Sequence, residues 1–224
     1  MRFLTSLRII FYLLLFSLLL SSCKKEDLIV ADRDGNVYNT IIIGTQVWFK
    51  ENLKTTKYND GSSIPHVTDY VDWRDLSSPG YCWYDNNESK YKETYGALYN
   101  WFAVNTAKLC PEGWHVPTSD EWSTLEDYLG GHLIAGDKLK EIGTTHWPSP
   151  NDKATDESGF TALPGGYRQI GLFGLLGYHA HWWSTSSYSA PYANSRSIHY
   201  DASSIDHIDI YKGTGCSIRC IKDQ

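Results

Sequence analysis

The sequence contains no apolar run long enough to cross a membrane as a helix. Its longest, residues 9–20 (IIFYLLLFSLLL), has twelve residues, against the roughly 20 that a hydrocarbon core of about 30 Å requires. No basic run extends beyond Lys24-Lys25, and the formal charge is −6; an acidic surface repels phosphate backbones, so nucleic acid is excluded as a partner. A Gly-x-Ser-x-Gly nucleophile elbow is missing, as is any local Cys/His signature of a thiol hydrolase. Cys216-x3-Cys220 has no matching pair upstream, which argues against a zinc knuckle.

What is present begins with an address. Arg2 and Arg8 precede the short apolar run, the layout of a cleaved export signal. Leu20-Ser21-Ser22-Cys23 looks like a bacterial lipobox, implying cleavage after Ser22 and acylation of Cys23; a plain secretory signal followed by a chance cysteine is the alternative. Acyl chains contribute about 0.8 kcal/mol per buried methylene, and more than one gives stable anchoring. The expected membrane partner is therefore reached through Cys23. "CKKED" at 23–27 resembles the signal that sends lipoproteins of Bacteroidetes-type bacteria to the outer face of the outer membrane; an ordinary solvated tether is the plainer alternative. The expected organisation is a signal over 1–22, a lipidated charged tether over 23–33 and one domain over 34–224. Losing Arg2 and Arg8 takes the formal charge from −6 to −8.

Four cysteines then remain, Cys82, Cys110, Cys216 and Cys220. An even number in an exported chain argues for disulfides, with three connectivities open. The preferred pairing is Cys110–Cys220 with Cys82–Cys216.

Local patterns give the fold class. Residues 37–51 read as a hairpin turning at Gly44-Thr45, with β-branched residues on both sides. Residues 64–87 mix Pro, Gly and Asp with aromatics and have no period, so an irregular segment is expected there. "YGALYNWFAVNTA" (95–107) places Leu98, Trp101 and Phe102 on one helical face. In "CPEGWHVPTSDEW" (110–122), Thr118 and Glu121 form a capping box, Pro117 and Trp122 a hydrophobic staple, and Gly130-Gly131 ends the helix. Acids and threonine there are explained by helix initiation. Short β-like runs follow to the end, giving an α+β class.

Six motifs now stand in a particular order: "YGALYNW", "CPEGWHVPTSDEW", "AGDKLK", "ESGFTALPGGYR", "WWSTSS" and "SIRCIKD". Together they resemble the Fibrobacter succinogenes major paralogous domain across about residues 34–223. That family in turn resembles the C-type-lectin-like fold shared with formylglycine-generating enzymes, where "RLPTEAEW"-like and "GFRC"-like runs stand in the places of "HVPTSDEW" and "CSIRC". The resemblance implies few helices, short antiparallel strands, long ordered loops and an aromatic core; nine tryptophans and sixteen tyrosines suit that core. It implies export and a cell-envelope location more than any activity.

The candidate chemistries follow. Formylglycine-generating enzymes use a cysteine pair upstream of the "GFRC" ending; here the close pair is Cys216 and Cys220, the latter inside the ending, and the catalytic pair has no counterpart. His179-x-His181 on a strand would put two imidazoles on one face for zinc or copper, with His199, Asp201, His207 or Asp209 as a third ligand; two surface histidines are the plainer alternative. The sugar-binding lectin motifs Glu-Pro-Asn and Trp-Asn-Asp are missing, "WYDNN" (83–87) being a partial echo, and a structural calcium on Asp and Asn oxygens is the one ion or cofactor left to consider. Carboxylates are plentiful, but nothing singles out a glycosidase pair.

The remaining class is a binding module. Residues 171–196 supply Tyr178, His181, Trp182, Trp183, Tyr188, Tyr192, Asn194 and Arg196, with Leu172, Phe173, Leu175 and Leu176 in a glycine-rich run. Rings that stack on sugar faces beside amide and guanidinium donors suit a glycan, though Trp182 and Trp183 on a central strand would be core. The expected role is non-catalytic binding of a glycan, a peptide or another outer-membrane protein. The alternatives are a metal-assisted enzyme on the same fold and a structural component of an envelope complex.

Overall fold

A computed structural model describes residues 29–187 and 189–224. Cys23, the export segment and Tyr188 lie outside the described residues. β1 (Val30–Ala31) pairs antiparallel with β2 (Val37–Tyr38), so the paired structure reaches into the stretch expected as tether. β3 (Thr40–Ile43) and β4 (Gln46–Phe49) form the expected hairpin. Gly44 is left-handed at φ +62° and Thr45 is not, as a type II′ turn requires. Then come α1 (Tyr70–Arg74), β5 (Tyr81–Cys82), a 3-10 turn at Tyr84–Asn86 and α2 (Glu88–Tyr95). β6 (Leu98–Tyr99), α3 (Trp101–Val104) and β7 (Trp114–His115) lead to α4 (Ser119–Tyr128) and α5 (His132–Leu139). The rest is β8 (Tyr167–Gln169), β9 (Leu172–Gly174), β10 (His179–Trp183), β11 (Tyr192–His199), β12 (Ile205–Tyr211) and β13 (Ile221–Lys222). Helices stand apart from small antiparallel sheets: an α+β arrangement. No helix among the described residues is long and apolar enough to cross a membrane.

Two expectations change. The segment expected as irregular holds α1, begun by Asp69, whose carboxylate accepts from the Val71 and Asp72 N–H groups. The single helix expected from Tyr95 is broken. Leu98 and Tyr99 pair with β5, and Asn100 starts a new turn by accepting from the Ala103 N–H. Backbone pairing of Tyr99 with Cys216 in both directions outweighs the helical period. The capping box is as expected: Thr118 Oγ1 accepts from Glu121 N, and the Glu121 carboxylate accepts from Thr118 N. Gly130 N–H and Gly131 N–H donate to Asp127 O and Glu126 O and close α4.

Sheets of order β3-β4-β13-β7 and β10-β11-β12 sit beside the two-stranded β5-β6 and β8-β9. One segment stitches them. Gly215 bridges to Arg168, Cys216 to Tyr99, Ser217 to Trp182, and Ile221 to both Trp48 and His115. Indoles fill the space around it. Trp48, Trp122, Trp147 and Trp182 share one cluster with Phe160, Trp83, Trp101 and Trp183 another, and Trp73 lies in a third with Tyr84 and Tyr91.

Cys110 and Cys220 are joined, closing 110 residues with Cα atoms 6.0 Å apart. The second expected bridge is not made: Cys82 and Cys216 are free, buried thiols. β6 lies between them, since Cys82 pairs with Leu98 and Cys216 with Tyr99. Two strand spacings separate their Cα atoms by roughly 9–10 Å, beyond the ~7 Å a disulfide spans. Neighbours on a strand also face opposite ways, so Cys82 points into the Trp73 cluster and Cys216 into the Trp183 cluster.

Candidate functional site

The structure divides the eight residues expected to bind ligand. Trp182 and Trp183 alternate across β10 and are fully buried on its two faces. Trp182 Nε1 donates to Asn52 Oδ1 and Trp183 Nε1 to the Tyr99 carbonyl, so their polar edges are committed and both indoles are core. Arg196 is also buried: its Nε donates to Glu126 Oε1 at 2.6 Å and its Nη2 to the Ser119 carbonyl. It ties the sheet to α4 and faces no solvent. Tyr178 is exposed but stands edge-on against Tyr200 at the far end of β10 from Tyr192. The Tyr200 N–H donates to the Tyr178 carbonyl, so eight residues of strand, about 26 Å at 3.3 Å each, separate Tyr178 from Tyr192. They cannot line one pocket. Of the glycine-rich run, Leu172 is exposed, while Phe173 and Leu176 pack on the Tyr84 cluster.

What remains is one end of the three-stranded sheet. On one face β11 presents Tyr192, Asn194, Arg196 and Ile198, opposite Tyr211, Asp209, His207 and Ile205 of β12. Glu126 of α4 covers this face at its middle, accepting from both Arg196 and His207. Past that point the face is uncovered. Asn194 Nδ2 donates to Asp209 Oδ1, and beyond them Tyr192 and Tyr211 oppose each other across the strands, 46 % and 39 % exposed. Residues opposed in this way hold their Cβ atoms about 4.5–5.5 Å apart. Tyr211 is fixed by Gly213, where a Cβ would come within 2.5 Å of the ring Cε1. Ser119 and Ser186 border the shelf, Ser119 Oγ donating to Asn194 Oδ1 and Ser186 Oγ accepting from Ser119 N. Two apolar ring faces thus sit beside an amide, a carboxylate and two hydroxyls. The sequence does not single out Tyr211, because "HIDIYK" shows alternation but not register.

The sequence pattern of the Fibrobacter succinogenes major domain family matches residues 41–222. The chain belongs to that family. No curated protein and no solved structure matches it.

In this Fibrobacter succinogenes major domain the other expected sites change. His179 and His181 share a face of β10, and His199 joins them from β11. His179 and His181 are stacked, however, 5.7 Å apart at 19°, and the His199 ring lies 3.9 Å from His179, tilted by 32°. The lone pairs lie in the ring planes, so the near-parallel His179 and His181 aim theirs side by side rather than at one point. Among the described residues no group of three or more His, Cys, Asp or Glu side chains is placed to hold a metal ion. The His179/His181 metal expectation is not met. His181 is buried against Tyr167 with neither ring nitrogen bonded; burial, then its two histidine neighbours, pulls it down to about 3, so it is neutral at any physiological pH. The free thiols offer no reactive alternative: burial pushes Cys82 up to about 12 and raises Cys216 as well, which withholds the nucleophilic thiolate.

Proposed function

We propose that this domain is an envelope-anchored, non-catalytic binding module that lays a glycan across the outer end of β11–β12. The observation that carries this reading is the uncovered Tyr192–Tyr211 pair, on a sheet whose other large rings are almost all buried. Sugar rings present an axial C–H face that packs on an aromatic ring, and their hydroxyls need paired donors and acceptors. Asn194 and Asp209 stand one residue pair further along the same face, so stacking and hydrogen bonding fall within a single sugar. The anchor in this reading is acylated Cys23, which holds the module on the outer membrane facing outward. The small sheets, the aromatic core and the pairing of β4 with β13 support placing the domain among C-type-lectin-like folds.

The test is a glycan array with the full chain and with a Tyr192→Ala/Tyr211→Ala variant. Surface substitutions of this kind shift stability by about 0.5 kcal/mol or less, so the variant stays folded. It is expected to lose at least tenfold in affinity for whatever the parent chain retains. Undiminished retention by the double variant rejects the tyrosine shelf.

A further inference from the structure

A second feature lies away from the tyrosine shelf. A cleft of about 430 Å³ opens between β4 and the 146–163 region, with Lys50, Glu51, Glu93, Thr94 and Thr161 on its walls and Arg219 at its floor. The volume is within the range of about 300–1,000 Å³ usual for small-molecule sites. Arg219 is 1 % exposed. Its guanidinium is held by neutral oxygens: Nε donates to Asn52 Oδ1, and Nη1 to the carbonyls of Phe49, Lys50 and Phe160. The plane lies 4.1 Å over the Phe160 ring. Among the described residues Nη2 makes no hydrogen bond and no carboxylate forms an ion pair with the group. Burial pulls this arginine down to about 9, and the charges of Glu51 and Asp156 oppose that only in part.

The charges around the cleft are unevenly satisfied. Glu93 is paired with Lys54 at 2.5 Å, and Glu51 accepts from both the backbone N–H and the side-chain amide of Asn39. Asp156, behind Thr161, holds that residue's N–H and hydroxyl. The anions therefore have partners, whereas Lys50 Nζ and Arg219 Nη2 have none among the described residues. Glu51 and Asp156 act on Arg219 only from beyond ion-pair distance; a buried cation without a direct partner is costly, and a guanidinium is the group best matched to a carboxylate. The walls, His146 and Leu163 among them, present polar and apolar surface in about equal measure, which suits a sugar ring carrying both hydroxyls and C–H faces. Glu51 and Glu93 near the opening repel a multiply charged ligand.

We propose that this cleft binds a sugar acid, its single carboxylate on Arg219 and Lys50 and its hydroxyls on Thr94, Thr161 and the two glutamates. The site is independent of the tyrosine shelf, and each is tested by variants that leave the other intact.

Titration calorimetry of the full chain with D-glucuronate, D-glucose and inorganic phosphate tests it. Glucuronate is expected to bind at least tenfold more tightly than glucose or phosphate. Lys50 is half-buried and unpaired, so Lys50→Glu leaves the melting temperature unchanged while weakening glucuronate at least tenfold. Arg219→Lys is expected to abolish binding in whatever fraction folds, and Tyr192→Ala/Tyr211→Ala is expected to leave it unchanged. Glucuronate no tighter than glucose, phosphate equal to glucuronate, or full affinity in Lys50→Glu each overturns the proposal.

Discussion

His115 stands between two carboxylates, with Nε2 2.8 Å from Glu121 Oε1 and Nδ1 2.6 Å from Asp223 Oδ1. Glu121 is the stronger influence, partial burial opposes it and Asp223 adds to it; together they raise the imidazole from 6.5 to about 8. A histidine with a raised pKa in the folded state stabilises that state fully below its unfolded value and loses the effect as pH rises through the folded one. The stabilisation is thus present below about 6.5 and gone above about 8. With solvent screening of this partly exposed pair it amounts to about 1 kcal/mol. Urea unfolding between pH 6 and 9 is expected to show that loss, and His115→Gln to flatten it; an unchanged slope in the variant removes the assignment. The sequence displayed half of this arrangement. The Thr118–Glu121 capping box is local and was legible, but Asp223 lies 108 residues from His115 and no spacing rule links them. The same applies to Arg196, whose charge suggested a ligand and whose partner Glu126 lies 70 residues away.

Short elements are read best where one turn fixes them. Gly44 gave the β3–β4 hairpin, whereas the β8–β9 hairpin was hidden because its turn carries an ill-suited residue. Ile170 and Gly171 adopt φ +50° and +82°, the two left-handed positions of a type I′ turn, where Asn-Gly is preferred. A β-branched residue there is strained, and Ile170 is largely exposed, so its side chain returns little packing. Ile170→Asn is expected to stabilise the chain by about 1 kcal/mol, seen as a rise of roughly 2–4 °C in Tm. Gly171→Ala is expected to do the reverse, because a Cβ would come 2.6 Å from the Tyr70 carbonyl oxygen. A fall in Tm with Ile170→Asn would show that the hairpin needs its isoleucine. The long helix expected from Tyr95 failed for the opposite reason. Its apolar spacing is good, but Leu98 and Tyr99 meet partners on both sides, and Asn100 is a cap.

Across the molecule, the Cys110–Cys220 link joins the start of the β7 loop to the stitching segment. A closed loop of that length stabilises by about 4–5 kcal/mol in the chain-entropy account. Cys110→Ala/Cys220→Ala is expected to lose that amount in guanidinium unfolding, whereas reducing agent added to the double variant changes nothing further. Equal stability of parent and double variant would mean that the ring packing carries the fold without the bridge. Class and domain content were visible in the motifs; the fate of Cys82 and Cys216 was not, since it turns on which strand lies between them.

Residues 215–221 reach partners near positions 48, 99, 115, 168 and 182, so four of the five small sheets wait for a stretch that follows the strands it joins. A ribosome-bound fragment ending before Gly215 has strands with no common rail to close on. Such a fragment lacks the contacts that four of the small sheets share, so its collapse is deferred until residues 215–221 are present.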